Sequence, residues 1–398
     1  AAMTAAKYKV DNMTVILDRN FIQQDSYTEK VMPLDEELVG DDLSEMWKDA
    51  SRWKTGEKWL SFGWNVIEID GHRVEQISNA IRRATQTKGL PTIIIARTIK
   101  GKGVEHMEDN PQWHGKAPKP ELVPIIEQEL DSQFMIAPSI IAGDMSNLEK
   151  EVKRCEDGRA DYIHLDVMDG QFVPNKTFDH VKVKDLRSLT LIPFDTHLMI
   201  NEPVKHVHEY VDAGSDIITV HAEVCDESSF GEIYDMLQSN QIGVGLAINP
   251  DTELPQWSYK FVPLLDQIIV MSVVPGKSGQ KFIKSTHEKI QRISKDLKQH
   301  NFEGYIEADG GVNLENIGSC FEDGARAFVG GSAIIGQNDV RLIIKEFRNN
   351  VLESRRRSLI KKAHEIGGKE LVNSWIDLHV VGKKKDSLVQ IAKELDFQ

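Results

Sequence analysis

The run of short apolar segments in this sequence predicts an α/β chain built on a (β/α)8 barrel of the TIM type, preceded by a partial α/β domain and followed by a short helical tail. Three observations carry this. Eight apolar runs succeed one another between 133 and 329, amphipathic stretches of helical period separate most of them, and polar residues gather at their C-terminal ends. The expected domains are 1–130, 131–350 and 351–398.

A chain of 398 residues, 40% of them hydrophobic, is long enough for more than one domain. Its 48 Lys and Arg against 62 Asp and Glu leave a net charge of −14, which argues against nucleic acid or an anionic membrane as a general partner. Cys155, Cys225 and Cys320 lie far apart with no C-x-x-C, so neither a disulfide framework nor a thiolate metal cluster is indicated and a reduced, cytoplasmic setting is expected. No apolar run is long enough to span a bilayer. The expected assembly is a homo-oligomer.

In chain order, a helix-like opening that starts on Ala rather than Met suggests a sequence beginning inside an element, truncated or processed upstream. M-T-V-I-L (13–17) reads as a buried strand that stops at Asp18-Arg19-Asn20. A strand followed by Asp and Asn suits a ligand at the carboxyl end of a sheet, although D-R-N alone is more often a turn. After an irregular acidic stretch, 35–49, come strand 64–72, helix 74–84 and strand 91–98, then the glycine-punctuated exit Lys100-Gly101-Lys102-Gly103.

The phrases D-N-M-T-V-I-L-D-R-N-F-I-Q-Q-D, F-G-W-N-V-I-E-I-D-G-H, T-I-K-G-K-G-V and W-H-G make 1–130 resemble the thiamine-diphosphate half of transketolase, in the form split over two chains. The resemblance implies that Asn20 and the carbonyl of Ile22 hold Mg²⁺ on the cofactor diphosphate, with His114 beside the cofactor. Ser26 and Arg73 stand where that family has Gly and Asp. Its upstream G-D-G and its pyrimidine-binding domain are not in the sequence, so transketolase activity is not expected of this chain alone. A separate transketolase C-terminal chain is the partner implied, and an interaction module that docks such a chain is the alternative reading.

The eight barrel strands are expected at 133–139, 162–166, 194–199, 217–221, 244–248, 268–271, 304–308 and 327–329, with helices such as 145–156, 203–213 and 286–298. Ser139 ends the first. His164, Asp166 and Met168 share one face at the end of the second, before the turn Asp169-Gly170, and His197 and Met199 end the third. Met271 ends the sixth, Asp309 the seventh and Gly330-Gly331-Ser332 the eighth. Two His and two Asp at one mouth make a mixed nitrogen and oxygen set suited to a divalent ion such as Zn²⁺, with positions left for substrate oxygens. Gly310-Gly311 and Gly331-Ser332 follow consecutive strands, where exposed backbone N–H groups cradle an anion. The loop Gly276-Lys277-Ser278-Gly279 adds a third glycine turn. Met168, Met199 and Met271 are either core gap-fillers or an apolar wall around the reacting carbons.

The motifs A-P-S-I, H-L-D-V-M-D-G-Q-F-V-P-N, D-T-H-L-M, V-M-S-V-V-P-G-K-S-G-Q-K-F, D-G-G-V and G-G-S-A-I resemble ribulose-phosphate 3-epimerase over about 135–350. The resemblance implies His164, Asp166, His197 and Asp309 as metal ligands, zinc first, with Fe, Mn or Co as other ions. Asp166 and Asp309 would also be the two acid/base catalysts, in opposite protonation states. Ser139 would contact a sugar phosphate whose phosphate the glycine loops and Ser332 hold. Lys277 and Ser278 depart from the family's P-G-F-G-G-Q, which leaves open how this loop meets phosphate while adding a cation suited to it. An epimerase for another ketose phosphate, such as allulose 6-phosphate, uses the same residues. Xylulose 5-phosphate, the product expected of the epimerase, is a transketolase donor, so the two segments suit one pathway, the pentose phosphate pathway. The tail carries basic runs at 355–357, 361–362 and 383–385 between apolar positions of helical spacing. It is expected as two or three short helices on the barrel or on another subunit.

Overall fold

Branched apolar residues build the two parallel sheets of this chain. The computed structural model describes residues 1–23, 26–27, 54–379 and 383–397. The acidic stretch 35–49 and Gly382 lie outside them. The chain divides into two units, Ala1–Asp131 with Leu359–Gln398, and Ser132–Ser358.

In the first unit, strands β1 (Thr14–Arg19), β4 (Asn65–Asp70) and β5 (Thr92–Arg97) form a parallel sheet in the order β1-β5-β4. The central strand, T-I-I-I-A-R, is buried at every position, as a strand covered on both faces must be. Helix Val74–Gln86 connects its neighbour to it. The short pair β2 (Ile22–Gln23) and β3 (Ser26–Tyr27) is antiparallel. The expected tail, 351–398, holds the later part of helix Val340–Asp377, which enters this unit at Leu359 and leaves helical geometry at Gly367 and Gly368, and helix Lys383–Glu394. Gly368 adopts φ +61°, a conformation open to glycine at little cost. Leu371, Val372, Trp375, Ile376, Leu388 and Ile391 form one buried cluster with Val104, Leu122, Ile125 and Ile126. The tail's apolar stripe therefore packs on 104–126 of its own chain, a surface the sequence reading did not assign to it.

The second unit is a barrel of eight parallel strands: β6 (Met135–Pro138), β7 (Ile163–Met168), β8 (Phe194–Met199), β9 (Ile217–His221), β10 (Gly243–Ile248), β11 (Gln267–Met271), β12 (Tyr305–Asp309) and β13 (Ala327–Gly330). Hydrogen bonding runs β6-β13-β12-β11-β10-β9-β8-β7, and a parallel bridge from Ser139 to His164 brings the last strand back to the first. Parallel strands need crossovers. They are supplied by helices including Leu148–Asp157, His180–Arg187, Glu227–Ser239 and Thr286–Gln299. The side chain of Asp226 accepts from the N–H of Ser229 to start one of these, while the Ser229 hydroxyl answers the N–H of Asp226. Phe194, Phe230 and Phe328 are fully buried in the core. Truncating any of them to Ala costs about 3–5 kcal/mol. Every strand runs toward the same mouth, so the residues ending them are brought together.

Candidate active site

Alternation along β7 turns His164, Asp166 and Met168 to one side, and the same rule groups Asp195, His197 and Met199 on β8 and Glu307 with Asp309 on β12. His164 donates from Nδ1 to Oδ2 of Asp195 at 2.6 Å. Oδ1 of Asp195 accepts from Nε2 of Gln267 at 2.9 Å. With Nδ1 committed, Nε2 of His164 is buried without a hydrogen-bond partner. It lies 3.3 Å from Oδ1 of Asp166 and 3.8 Å from Oδ2 of Asp309. Nδ1 of His197 faces the same two oxygens at 3.3 and 3.5 Å. Donor atoms of all four residues lie within 4.8 Å of one another. An orphaned imidazole nitrogen costs about 1–3 kcal/mol, and one aimed between two carboxylates fits a divalent ion.

The charges respond to this crowding. Burial opposes a charged His164, but Asp166 and Asp195 outweigh it and raise its pKa. Against its own burial, Asp166 is driven far down by His164 and His197, and Asp195 is likewise lowered by His164. Glu307 goes the other way, pushed up by burial and by the Asp195 charge. Two carboxylates so close cannot both ionise, so Glu307 holds the proton.

Above these residues opens a cavity of about 430 Å³. Ser139, Asp166, Met168, Met199, Met271 and Asp309 line it, together with the three glycine loops through Gly276, Lys277, Ser278 and Gly279, Gly310 and Gly311, and Gly331 and Ser332. His164 and His197 lie fully buried. The Ser139 hydroxyl donates to Oδ2 of Asp166 at 2.5 Å. Gly310 and Gly311 sit at φ +112° and +66°, and a Cβ on Gly311 would stand 2.5 Å from the backbone nitrogen of Phe282. The loops converge: a Cβ on Gly331 would lie 3.4 Å from the Ser278 hydroxyl, and one on Gly279 3.9 Å from that of Ser332. Asn175 Nδ2 donates to the Gly276 carbonyl at 2.7 Å, tying the loop after β7 to the loop after β11.

Of the residues tied to thiamine diphosphate, Asn20 and Ile22 are neighbours, the Asn20 Oδ1 accepting from the Ile22 N–H at 3.0 Å. His114 is exposed beyond the turn Pro111–Trp113, and among the described residues no hydrogen bond joins it to either. The sequence reading missed Asp195, Glu307 and His221. The signal was present, since Asp195 and Glu307 lie two residues before His197 and Asp309 on the same strand face, and His221 ends β9.

The model of the family described as "Ribulose-phosphate 3 epimerase family" matches residues 135–335. The chain belongs to the ribulose-phosphate 3 epimerase family. A ribulose-phosphate 3-epimerase of Bacillus subtilis is 39% identical over 216 residues, covering 54% of this chain and 98% of that protein. The chloroplastic ribulose-5-phosphate-3-epimerase of Arabidopsis thaliana is 38% identical over 214 residues, 54% of this chain and 76% of its own length. The Escherichia coli ribulose-phosphate 3-epimerase is 36% identical over 220 residues, 55% and 96% respectively. A second model, "Transketolase, thiamine diphosphate binding domain", matches 1–157. Its last residues overlap β6 and helix Leu148–Asp157, which belong to the barrel unit. Among the described residues no helix is long and apolar enough to cross a membrane.

Proposed function

We propose that this chain inverts C3 of ribulose 5-phosphate to give xylulose 5-phosphate, with a divalent ion, zinc first, held by His164, Asp166, His197 and Asp309. The observation that carries this reading is the pair Asp166 and Asp309, two carboxylates from separate barrel strands around one buried donor set and on the wall of one cavity. Inverting a carbon α to a carbonyl means taking a proton from one face and returning one to the other, which needs two acid/base groups. The carboxylate that starts ionised removes the C3 proton; its counterpart, starting protonated, delivers one from the opposite side. The roles are exchanged after each turnover. A divalent ion held by His164, Asp166, His197 and Asp309 would supply polarisation of the carbonyl and charge balance for the enediolate.

The remaining residues orient and enclose. Ser139, donating to Asp166, fixes which oxygen of that carboxylate faces the substrate. Met168, Met199 and Met271 form an apolar wall that keeps water from the enediolate. Backbone N–H groups of the loops at Gly310-Gly311 and Gly331-Ser332 receive the phosphate. The test is solvent deuterium at C3: incubation of ribulose 5-phosphate with the protein in D₂O should label C3 in both epimers. Conversion without label at C3 would overturn the proton-transfer scheme.

A further inference from the structure

His197 turns one nitrogen to the carboxylates, and the other lies 2.8 Å from Nε2 of His221. The two rings lie nearly parallel, at 21°, with centres 4.9 Å apart. His221 in turn offers Nδ1 to Oε2 of Glu223 at 3.0 Å. Oε1 of Glu223 accepts the backbone N–H of Asn249 at 2.7 Å. The carbonyls of Asn249, Pro250 and Thr252 are gathered by the ammonium of Lys289, at 2.5, 3.1 and 2.6 Å. Phe172, from the loop after β7, lies against His221, ring centres 4.7 Å apart. A line of hydrogen bonds thus runs from an anchored loop to a ligand-bearing imidazole.

We propose that His221 and Glu223 are positioning residues that hold a hydrogen on Nε2 of His197, so that Nδ1 is the nitrogen it gives to an ion held with Asp166 and Asp309. This deepens the proposed function and rests on its metal reading. The direction of the line follows from its ends. An ionised carboxylate only accepts, so His221 donates from Nδ1. Its Nε2 then accepts, and the single hydrogen between the two rings belongs to Nε2 of His197. Nδ1 of His197 is the nitrogen that faces the donor set. Glu223 is held ionised, its pKa brought to about 2, against burial, by His221, Asn249 and Thr252. The other ligand histidine is set directly by Asp195, with Glu307 Oε1 3.4 Å from the same nitrogen. Partners of this kind are worth about 10- to 100-fold in metal affinity.

The decisive variant is Glu223→Gln. Its amide oxygen stays on the Asn249 N–H, its NH₂ meets Nδ1 of His221, and the two hydrogen bonds from there to His197 reverse, making Nε2 of His197 an acceptor and holding its hydrogen on Nδ1 inside the donor set. Glu223→Ala, by contrast, leaves His221 free to adopt either tautomer. Zn²⁺ affinity by chelator competition should therefore fall about 10- to 100-fold in Glu223→Gln and less in Glu223→Ala. A merely structural role for Glu223 predicts the reverse order, since Ala is the greater loss of packing. The second readout is the ¹⁵N spectrum of histidine-labelled, metal-free protein: the hydrogen between the two rings should sit on Nε2 of His197 in the wild type and on Nε2 of His221 in Glu223→Gln. If the wild-type protein binds no divalent ion, the metal reading fails, while the tautomer still judges the relay by itself. A His197 tautomer unmoved by Glu223→Gln overturns the inference.

Discussion

Oδ2 of Asp195 lies 2.6 Å from Nδ1 of His164, at the level of the barrel just below the residues that line the cavity. The contact commits Nδ1 of His164 to Asp195 and leaves Nε2 facing Asp166 and Asp309. Replacing Asp195 by Asn keeps the shape but removes the charge that makes His164 a better donor. Asp195→Asn should weaken Zn²⁺ binding by about tenfold, and Asp195→Ala by up to about 100-fold. Chelator competition on the purified variants measures this, with an intact circular dichroism spectrum as the folding control.

Lys277 is exposed on the cavity wall, in the loop that follows β11. A cation there meets the substrate phosphate through partly screened solvent, so its contribution is small and salt-dependent. Lys277→Phe should raise KM about fivefold at low ionic strength, with kcat little changed, and the difference should close as salt rises. An unchanged KM with an unchanged salt slope would place Lys277 in solvent alone.

Much of the barrel is legible in the sequence because parallel strands, buried on both faces, read as apolar runs, and because a polar residue at the end of such a run is conspicuous. Phe194–Met199 and Ile217–His221 have the bounds their composition suggests. What lies one alternation deeper is harder to read. Asp195 sits at the second position of its strand, where an acid looks like an edge residue, and only the register of β7 against β8 reveals that it faces His164. The tail shows the same limit from another side. The stripe Leu371, Val372, Trp375, Ile376 announces a buried helix, but its partner surface, Val104 with Leu122, Ile125 and Ile126, lies far away in sequence and carries no mark of the pairing.

His106 gives the first unit a pH dependence of its own. Its ring is buried with no hydrogen-bond partner on either nitrogen, 5.0 Å from Trp113 and 5.5 Å from His379. Burial, helped by His379, lowers its pKa from 6.5 to about 4. Between those values the unfolded chain binds a proton that the folded unit refuses, so stability falls as pH drops from 6.5 toward 4, by roughly 3 kcal/mol in full. His106→Phe should flatten that slope in denaturant titrations followed across the window. A slope equal to wild type would mean that His106 is solvated in the folded state.

The sharpest prediction separates the two carboxylates. If one base served both faces, removing it would abolish exchange and epimerisation together, and removing the other residue would leave exchange with both epimers. With two, each epimer has its own base, and Asp166 and Asp309 approach the mouth from β7 and β12, which the ring order β7-β6-β13-β12 sets well apart around the barrel. Asp→Asn at either position keeps an oxygen toward the donor set but can neither take nor give the proton, and a general acid/base of this kind is worth about 10²- to 10⁴-fold. Asp166→Asn and Asp309→Asn should therefore each lose epimerisation by about that factor. Each should retain slow C3 deuterium exchange with one epimer only, and the two variants should retain it with opposite epimers. Nuclear magnetic resonance of ribulose 5-phosphate and xylulose 5-phosphate incubated separately in D₂O reads all four combinations. Exchange lost with both epimers in one variant and kept with both in the other would assign a single base and end the two-carboxylate scheme.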